Sequence, residues 1–172
     1  MKRILIVIDM QNDFIDGALG TPEAEAIVPA VADKIRSYPP EAILATMDTH
    51  GPDYLSTQEG RMLPVEHCIR GTDGWRIRPE IAELLSEAAI YEKPTFGSIQ
   101  MAEAVRAMED VEEIELVGLC TDICVVSNAL LLKAYLPEAT IRVDASCCAG
   151  VTPEKHLAAL ETMRSCQITV GP

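Results

Sequence analysis

Short apolar, β-branched runs at positions 4–8, 42–46, 89–91, 114–117, 140–143 and 167–170 are separated by stretches of helical character. Ile4-Leu5-Ile6-Val7-Ile8 is apolar at every position, as a strand covered on both faces must be, whereas a strand with one wet face alternates. Helices are expected over 24–37, stopped by Pro39-Pro40, and over 79–87, 98–109, 122–135 and 153–166. Pro79 and Pro153 suit a first helical turn, where a backbone N–H has no intrahelical acceptor, and Thr152 suits the cap before it. Alternating strands and helices predict a three-layer αβα arrangement of the α/β class, a mainly parallel six-stranded sheet with helices on both faces.

A chain of 172 residues read as one domain over 1–172 can bury roughly 70% of its unfolded surface, so neither disulfide nor metal is needed merely to fold it. With 48% hydrophobic and 24% charged residues it is not a disordered chain. Its 14 basic and 27 acidic residues give a net charge of −13 without a basic cluster, which argues against nucleic acid or an anionic membrane as partner. Lys2-Arg3 and the apolar run behind them lead directly into Asp9, with no cleavage-site pattern and no apolar stretch of 18 residues, and the expected location is cytoplasmic. Cys68, Cys120, Cys124, Cys147, Cys148 and Cys166 are accordingly read as reduced. Cys120 and Cys124 have no second pair at zinc-ribbon spacing, and the adjacent Cys147-Cys148 are read as small core residues.

Ligands of such sheets gather beyond the carboxyl ends of the strands. Asp9 ends the first expected strand, Asp48 follows the second, Lys93 the third, and residues 118–124 the fourth. Cys124 is expected in the first turn of a helix starting near Thr121-Asp122, where unpaired N–H groups and the helix dipole favour the nucleophilic thiolate. A cysteine used in this way needs a base and a positive charge, and the strand-end rule brings Asp9 and Lys93 to the same crevice. Singly, the three have plainer readings as a buried hydrophobe, a loop cap and a surface charge, but their joint placement at strand ends favours a site. The connection over 49–78 is long and without periodicity, and long connections in compact domains are often functional.

Asp9-Met10-Gln11-Asn12-Asp13-Phe14, Asp48-Thr49-His50, Leu63-Pro64-Val65-Glu66-His67-Cys68 with Gly71-Thr72, Lys93, and Gly118-Leu119-Cys120-Thr121-Asp122-Ile123-Cys124-Val125 follow one another in an order and spacing that resemble the isochorismatase-like cysteine hydrolases. Within that family the chain is most similar to the nicotinamidase and pyrazinamidase branch. The resemblance covers almost the whole chain. It implies a catalytic triad of Asp9, Lys93 and Cys124, and a cis peptide at Leu119-Cys120 that aims the Cys120 N–H beside that of Cys124 as an oxyanion hole. It also implies hydrolysis of a small carboxamide such as nicotinamide to its acid and ammonia through a thioester. Members that cleave the vinyl ether of isochorismate lack the nucleophilic cysteine, which this chain has.

Asp48-x-His50 puts two donors on one side of an extended segment, and His67 closes a set of three; the alternative is a capped turn with His67 packed beneath the loop. The resemblance implies that these positions carry a divalent metal (zinc, iron or manganese), with Glu59 as a further candidate ligand, and that the metal takes the pyridine nitrogen of the substrate. A mixed oxygen and nitrogen set is compatible with several metals. Phe14, Trp75 and Phe96 are candidates for an aromatic substrate pocket or for core packing. Pro94-Thr95-Phe96-Gly97-Ser98 departs from the Tyr-Ser-Ala-Phe-like run of many nicotinamidases, in the loop that shapes the pocket wall. Two other readings therefore stay open, a metal-independent amidohydrolase acting on a carbamoyl or ureido substrate and a catalytically idle small-ligand-binding protein. Family members form dimers or tetramers, and the apolar helix over 121–135 is the expected interface of a homo-oligomer.

Overall fold

The computed structural model describes residues 2–172, which build one six-stranded sheet in which every neighbouring pair of strands is parallel. In chain order the elements are β1 (Lys2–Ile8), α1 (Asn12–Ile15), α2 (Pro22–Arg36), β2 (Ile43–Asp48), α3 (Gln58–Met62), α4 (Pro79–Ala82), β3 (Ala89–Lys93), α5 (Ile99–Arg106), β4 (Val111–Leu119), α6 (Val126–Tyr135), β5 (Thr140–Ala149), α7 (Pro153–Ser165) and β6 (Thr169–Gly171). Across the sheet the order is β3-β2-β1-β4-β5-β6. The chain winds from β1 to one edge and then starts again at β4. The crevice between β1 and β4 is thus the switch point where loops diverge and a ligand can enter.

The pleat divides the apolar run of β1 between two cores. Ile4, Ile6 and Ile8 pack with Met101 and Val105 of α5, Leu132 of α6 and Met163 of α7. Leu5 and Val7 pack on the other face with Ile27, Val31 and Ile35 of α2 and Ile81 of α4. Fully burying each such side chain contributes about 1.5 to 3 kcal/mol. α2 begins two residues before the expected position 24, with the Thr21 hydroxyl accepting from the Ala24 N–H at 3.0 Å and Pro22 in the first turn.

Several boundaries differ from the sequence expectation. The helix expected over 79–87 is α4 followed by a 3₁₀ turn, Glu83–Leu85. The helix expected over 122–135 opens with a wide π-type turn, Thr121–Val125, because the Cys120 carbonyl accepts from both Ile123 and Val125; regular α-helix starts at Val126. β5 continues past its apolar run through Asp144 and Ser146. Lys34 of α2 makes that possible by lying 2.7 Å from Asp144 Oδ2 and 3.1 Å from Glu115 Oε1 of β4, so that two buried carboxylates share one ammonium. β6 starts later than expected because Gln167 has a φ of +63° and Ile168 N–H returns to the Met163 carbonyl to end α7.

At Gly118 the backbones of β1 and β4 meet. Its φ is +118°, and a Cβ there would collide with the Ile8 carbonyl oxygen. Among the described residues no helix is long and apolar enough to cross a membrane.

Candidate active site

Four strand ends converge on the switch point. Asp9, just beyond β1, has a φ of +47°, a left-handed conformation that aspartate tolerates better than most residues. Its carboxylate is fully buried: Oδ1 accepts from the Thr46 hydroxyl of β2 at 2.6 Å, and Oδ2 lies 2.6 Å from Lys93 Nζ. Lys93 ends β3 with only 1% of its surface exposed, and its Nζ also reaches Cys124 Sγ at 3.3 Å, the Thr95 carbonyl at 3.1 Å and Asp48 Oδ1 at 3.6 Å. Cys124 lies in the wide turn that follows β4, and its carbonyl accepts from Asn128 Nδ2 at 2.8 Å. The same amide group donates to the Phe96 carbonyl and accepts from the Ser98 N–H, tying the cysteine turn to the loop after Lys93. The peptide joining Leu119 and Cys120, immediately before that turn, is cis.

Burial dominates the ionisation of this cluster. It works against the charge on Lys93, but Asp9, Cys124 and Asp48 outweigh it, and the ammonium is held more firmly protonated than a free lysine. Burial raises the Asp9 carboxyl above its ordinary value despite Lys93. It also raises the Cys124 thiol, with Asp9 adding to the rise and Lys93 opposing it. Burial and Asp9 thus favour the thiol form of Cys124, and Lys93 at 3.3 Å favours the thiolate.

A second cluster adjoins the first. Asp48 ends β2, where Gln11 clamps its backbone: the side-chain amide donates to the Asp48 carbonyl and accepts from its N–H, both at 2.8 Å. Asp48 Oδ2 lies 3.0 Å from His50 Nε2 and 3.4 Å from His67 Nε2. Glu59 Oε1 of α3 stands 3.7 Å and 3.9 Å from the same two nitrogens. His67 Nδ1 donates to the Val65 carbonyl at 2.8 Å, which leaves its Nε2 lone pair free for the cluster. Tyr54 packs its ring against both imidazoles, with centroid separations of 4.7 Å and 5.0 Å, and is pinned by its hydroxyl to the Leu63 carbonyl. Burial opposes the charge on Asp48, but its bonds to the two histidines and the nearby Lys93 hold it well below the usual carboxylate range.

The donor set suits a divalent ion. Asp48, His50 and His67 are buried, offer one oxygen and two nitrogens within 4.8 Å of one another, and include an imidazole already fixed in the ligating tautomer. Glu59 lies at the rim, less buried, with its carboxyl raised by burial.

A cavity of about 40 Å³ joins the two clusters. Cys120, Cys124, Asp48, Glu59 and His67 supply its polar wall, and Phe14, Leu19, Leu63, Phe96 and Ile123 its apolar one. Phe96, 43% exposed, also lines an adjoining cleft of about 440 Å³ together with His50, Glu59 and Met62. Of its two expected places Trp75 takes the packed one, against the core on the α2 side of the sheet, and is not part of the cavity wall. Its indole N–H donates to the Thr49 hydroxyl at 2.9 Å and the Arg70 guanidinium covers its ring. Nothing in the sequence marks Tyr54 or Asn128, and Gln11 has no role there beyond its place in a motif. Thr46 does have a signal, since it lies two residues before Asp48 and so on the same side of β2.

A protein-family model of the isochorismatase domain matches residues 3–171. The chain is 30% identical over 185 aligned residues to the nicotinamidase/pyrazinamidase of Mycobacterium tuberculosis, covering 96% of each protein. Its fold is similar to that of the pyrazinamidase of Pyrococcus horikoshii in complex with zinc, at a TM-score of 0.84 and 29% identity, covering 99% of this chain and 98% of that one. It is also similar to N-carbamoylsarcosine amidase from Thermoplasma acidophilum, at a TM-score of 0.78 and 28% identity, covering 99% and 96%.

Proposed function

The chain belongs to the isochorismatase family, and on that premise we propose that it is a cysteine amidohydrolase that converts nicotinamide to nicotinate and ammonia. The observation that carries the proposal is Lys93 Nζ, 2.6 Å from Asp9 and 3.3 Å from Cys124, in a crevice whose cavity also reaches the Asp48, His50 and His67 cluster.

In the first half-reaction Asp9 accepts the Cys124 thiol proton as Sγ attacks the carboxamide carbon, and Lys93 keeps the negative charge of this pair compensated. The N–H groups of Cys120 and Cys124 receive the oxyanion. Collapse expels the amine, to which Asp9 returns the proton, leaving a thioester and ammonia. Water then attacks the thioester with Asp9 as base, and the released sulfur is reprotonated as the acid departs. A divalent ion held by Asp48, His50 and His67, with Glu59 at its rim, would supply a Lewis-acid position for a ring nitrogen. The apolar side chains of the cavity, Phe14 and Phe96 among them, suit a flat heteroaromatic ring. The similarity to the Mycobacterium tuberculosis and Pyrococcus horikoshii enzymes supports the same substrate class.

The test is ammonia release from nicotinamide, pyrazinamide and aliphatic carbamoyl compounds by the wild type and Cys124→Ala. Turnover of the pyridine and pyrazine carboxamides is expected, with a loss of more than about 10⁴-fold in the variant. Release from the carbamoyl compounds alone would favour an N-carbamoyl amidase, the reading that the Thermoplasma acidophilum likeness supports. An undiminished rate in Cys124→Ala would sink the mechanism.

A further inference from the structure

The turn that carries Cys124 is held from outside by a residue the chemistry above does not use. Thr121, its first residue, is completely buried, and its hydroxyl shares a hydrogen bond of 2.7 Å with Nδ1 of His156, 35 positions later on α7. In a regular helix a threonine hydroxyl can bond a carbonyl of the preceding turn. Behind Thr121 lies extended β4 instead, so a buried hydroxyl there needs a partner from elsewhere in the fold. The neighbouring Asp122 makes a second tie, its Oδ1 accepting from the Val151 N–H at 2.9 Å. The start of α7 presses on this turn closely. A Cβ on Gly150 would come within 2.9 Å of Asp122 Oδ1 and 2.7 Å of the His156 backbone nitrogen.

We infer that His156 is a positioning residue for the nucleophile, holding the Thr121–Val125 turn through the Thr121 hydroxyl so that Cys124 Sγ stays in register with Lys93 and Asp9. His156 itself touches none of the reacting groups. Its influence passes along one hydrogen bond and then through three residues of backbone to Cys124. Burial lowers the pKa of His156, against the pull of Asp122, so the imidazole is neutral at physiological pH and the bond is one between uncharged partners. The inference rests on the amidohydrolase reading for its kinetic consequence, but not for its structural one.

The experiment compares His156→Leu, which fills the space without a polar atom, with His156→Asn, whose amide lies near the position of Nδ1. In His156→Leu we expect kcat on nicotinamide to fall about 10- to 100-fold with KM little changed, the usual effect of moving a reacting atom by about 1 Å. His156→Asn should recover most of the loss. Thr121→Val should lose as much as His156→Leu, and the double variant no more than either alone. Independently of any substrate, carboxamidomethylation of Cys124 by iodoacetamide is followed by mass spectrometry, with exposed Cys166 as internal reference. That rate should slow about tenfold in His156→Leu and recover in His156→Asn. If nicotinamide is not turned over, the amidohydrolase reading fails while the alkylation comparison still decides the role of His156. Should His156→Leu fail to fold, Thr121→Val against Thr121→Ser gives the same comparison from the other end of the bond. Cys124 alkylation that stays unchanged in both His156→Leu and Thr121→Val, or multiplicative losses in the double variant, would overturn the inference.

Discussion

An ammonium with 1% of its surface exposed survives at Lys93 because two carboxylates surround it, Asp9 at 2.6 Å and Asp48 at 3.6 Å. Removing one partner of a buried pair leaves the other uncompensated, which typically costs about 3 to 5 kcal/mol, whereas removing both is far milder. Asp9→Asn is therefore expected to destabilise the fold more than Asp9→Asn combined with Lys93→Met. Urea unfolding of the two variants checks this, and both should lack amidase activity. His156 gives a second prediction at this scale. Its folded pKa lies below the ordinary 6.5, so the unfolded chain takes up the proton more readily. The resulting stability is fully present above about pH 6.5 and is lost as pH falls through the lower, folded value. Between about pH 7.5 and about pH 5 the thermal midpoint of the wild type should drop further than that of His156→Asn. An equal drop in both proteins would show that His156 does not contribute to the acid sensitivity.

The close meeting of β1 and β4 depends on a glycine. A side chain at Gly118 would run into the Ile8 carbonyl oxygen, and the φ of +118° is itself unfavourable to other residues. Gly71 is the natural control, since its φ is +86° but nothing lies within 4 Å of a Cβ built there. Gly71→Ala should cost about 1 kcal/mol from backbone strain alone, and Gly118→Ala more than about 3 kcal/mol because strain and collision add. Chemical unfolding of the pair separates these contributions; equal losses would mean that β4 yields to the new methyl. The same scale shows why β1, α2 and α7 were legible and the connection between β2 and α4 was not. β1 has an unbroken apolar run, α2 is stopped by Pro39-Pro40, and α7 has a proline in the first turn behind a threonine cap. The connection instead holds a three-residue 3₁₀ turn, Tyr54–Ser56, and the five-residue α3, both too short to show a period.

For the molecule as a whole, the two clusters are coupled because four strand ends face one crevice, and Asp48 belongs to both. An ion that binds only the folded chain stabilises it by mass action, about 2.7 kcal/mol when its free concentration is 100 times Kd. Zinc or manganese is expected to raise the thermal midpoint of chelator-treated protein, and His67→Ala to remove that response. Elemental analysis of the untreated protein should find about one divalent ion per chain; none, together with a midpoint that added metal leaves unmoved, would refute the metal site.

The sequence by itself determined the class of fold, the alternation of elements, and the residues standing at each strand end. Strand patterns are local, and a chemically loaded residue directly after a buried run is visible without coordinates. It also carried the resemblance that pointed to Asp9, Lys93 and Cys124. Only the tertiary structure decided that Thr46 holds Asp9, that Asn128 holds the Cys124 turn, that Gln11 holds Asp48, and that Trp75 lies outside the cavity wall. Those outcomes depend on distances between segments far apart in the chain and on how completely water is excluded from between them. His156 belongs to the same group: nothing near it in sequence marks it, and its meaning comes from α7 packing against the turn that carries Cys124.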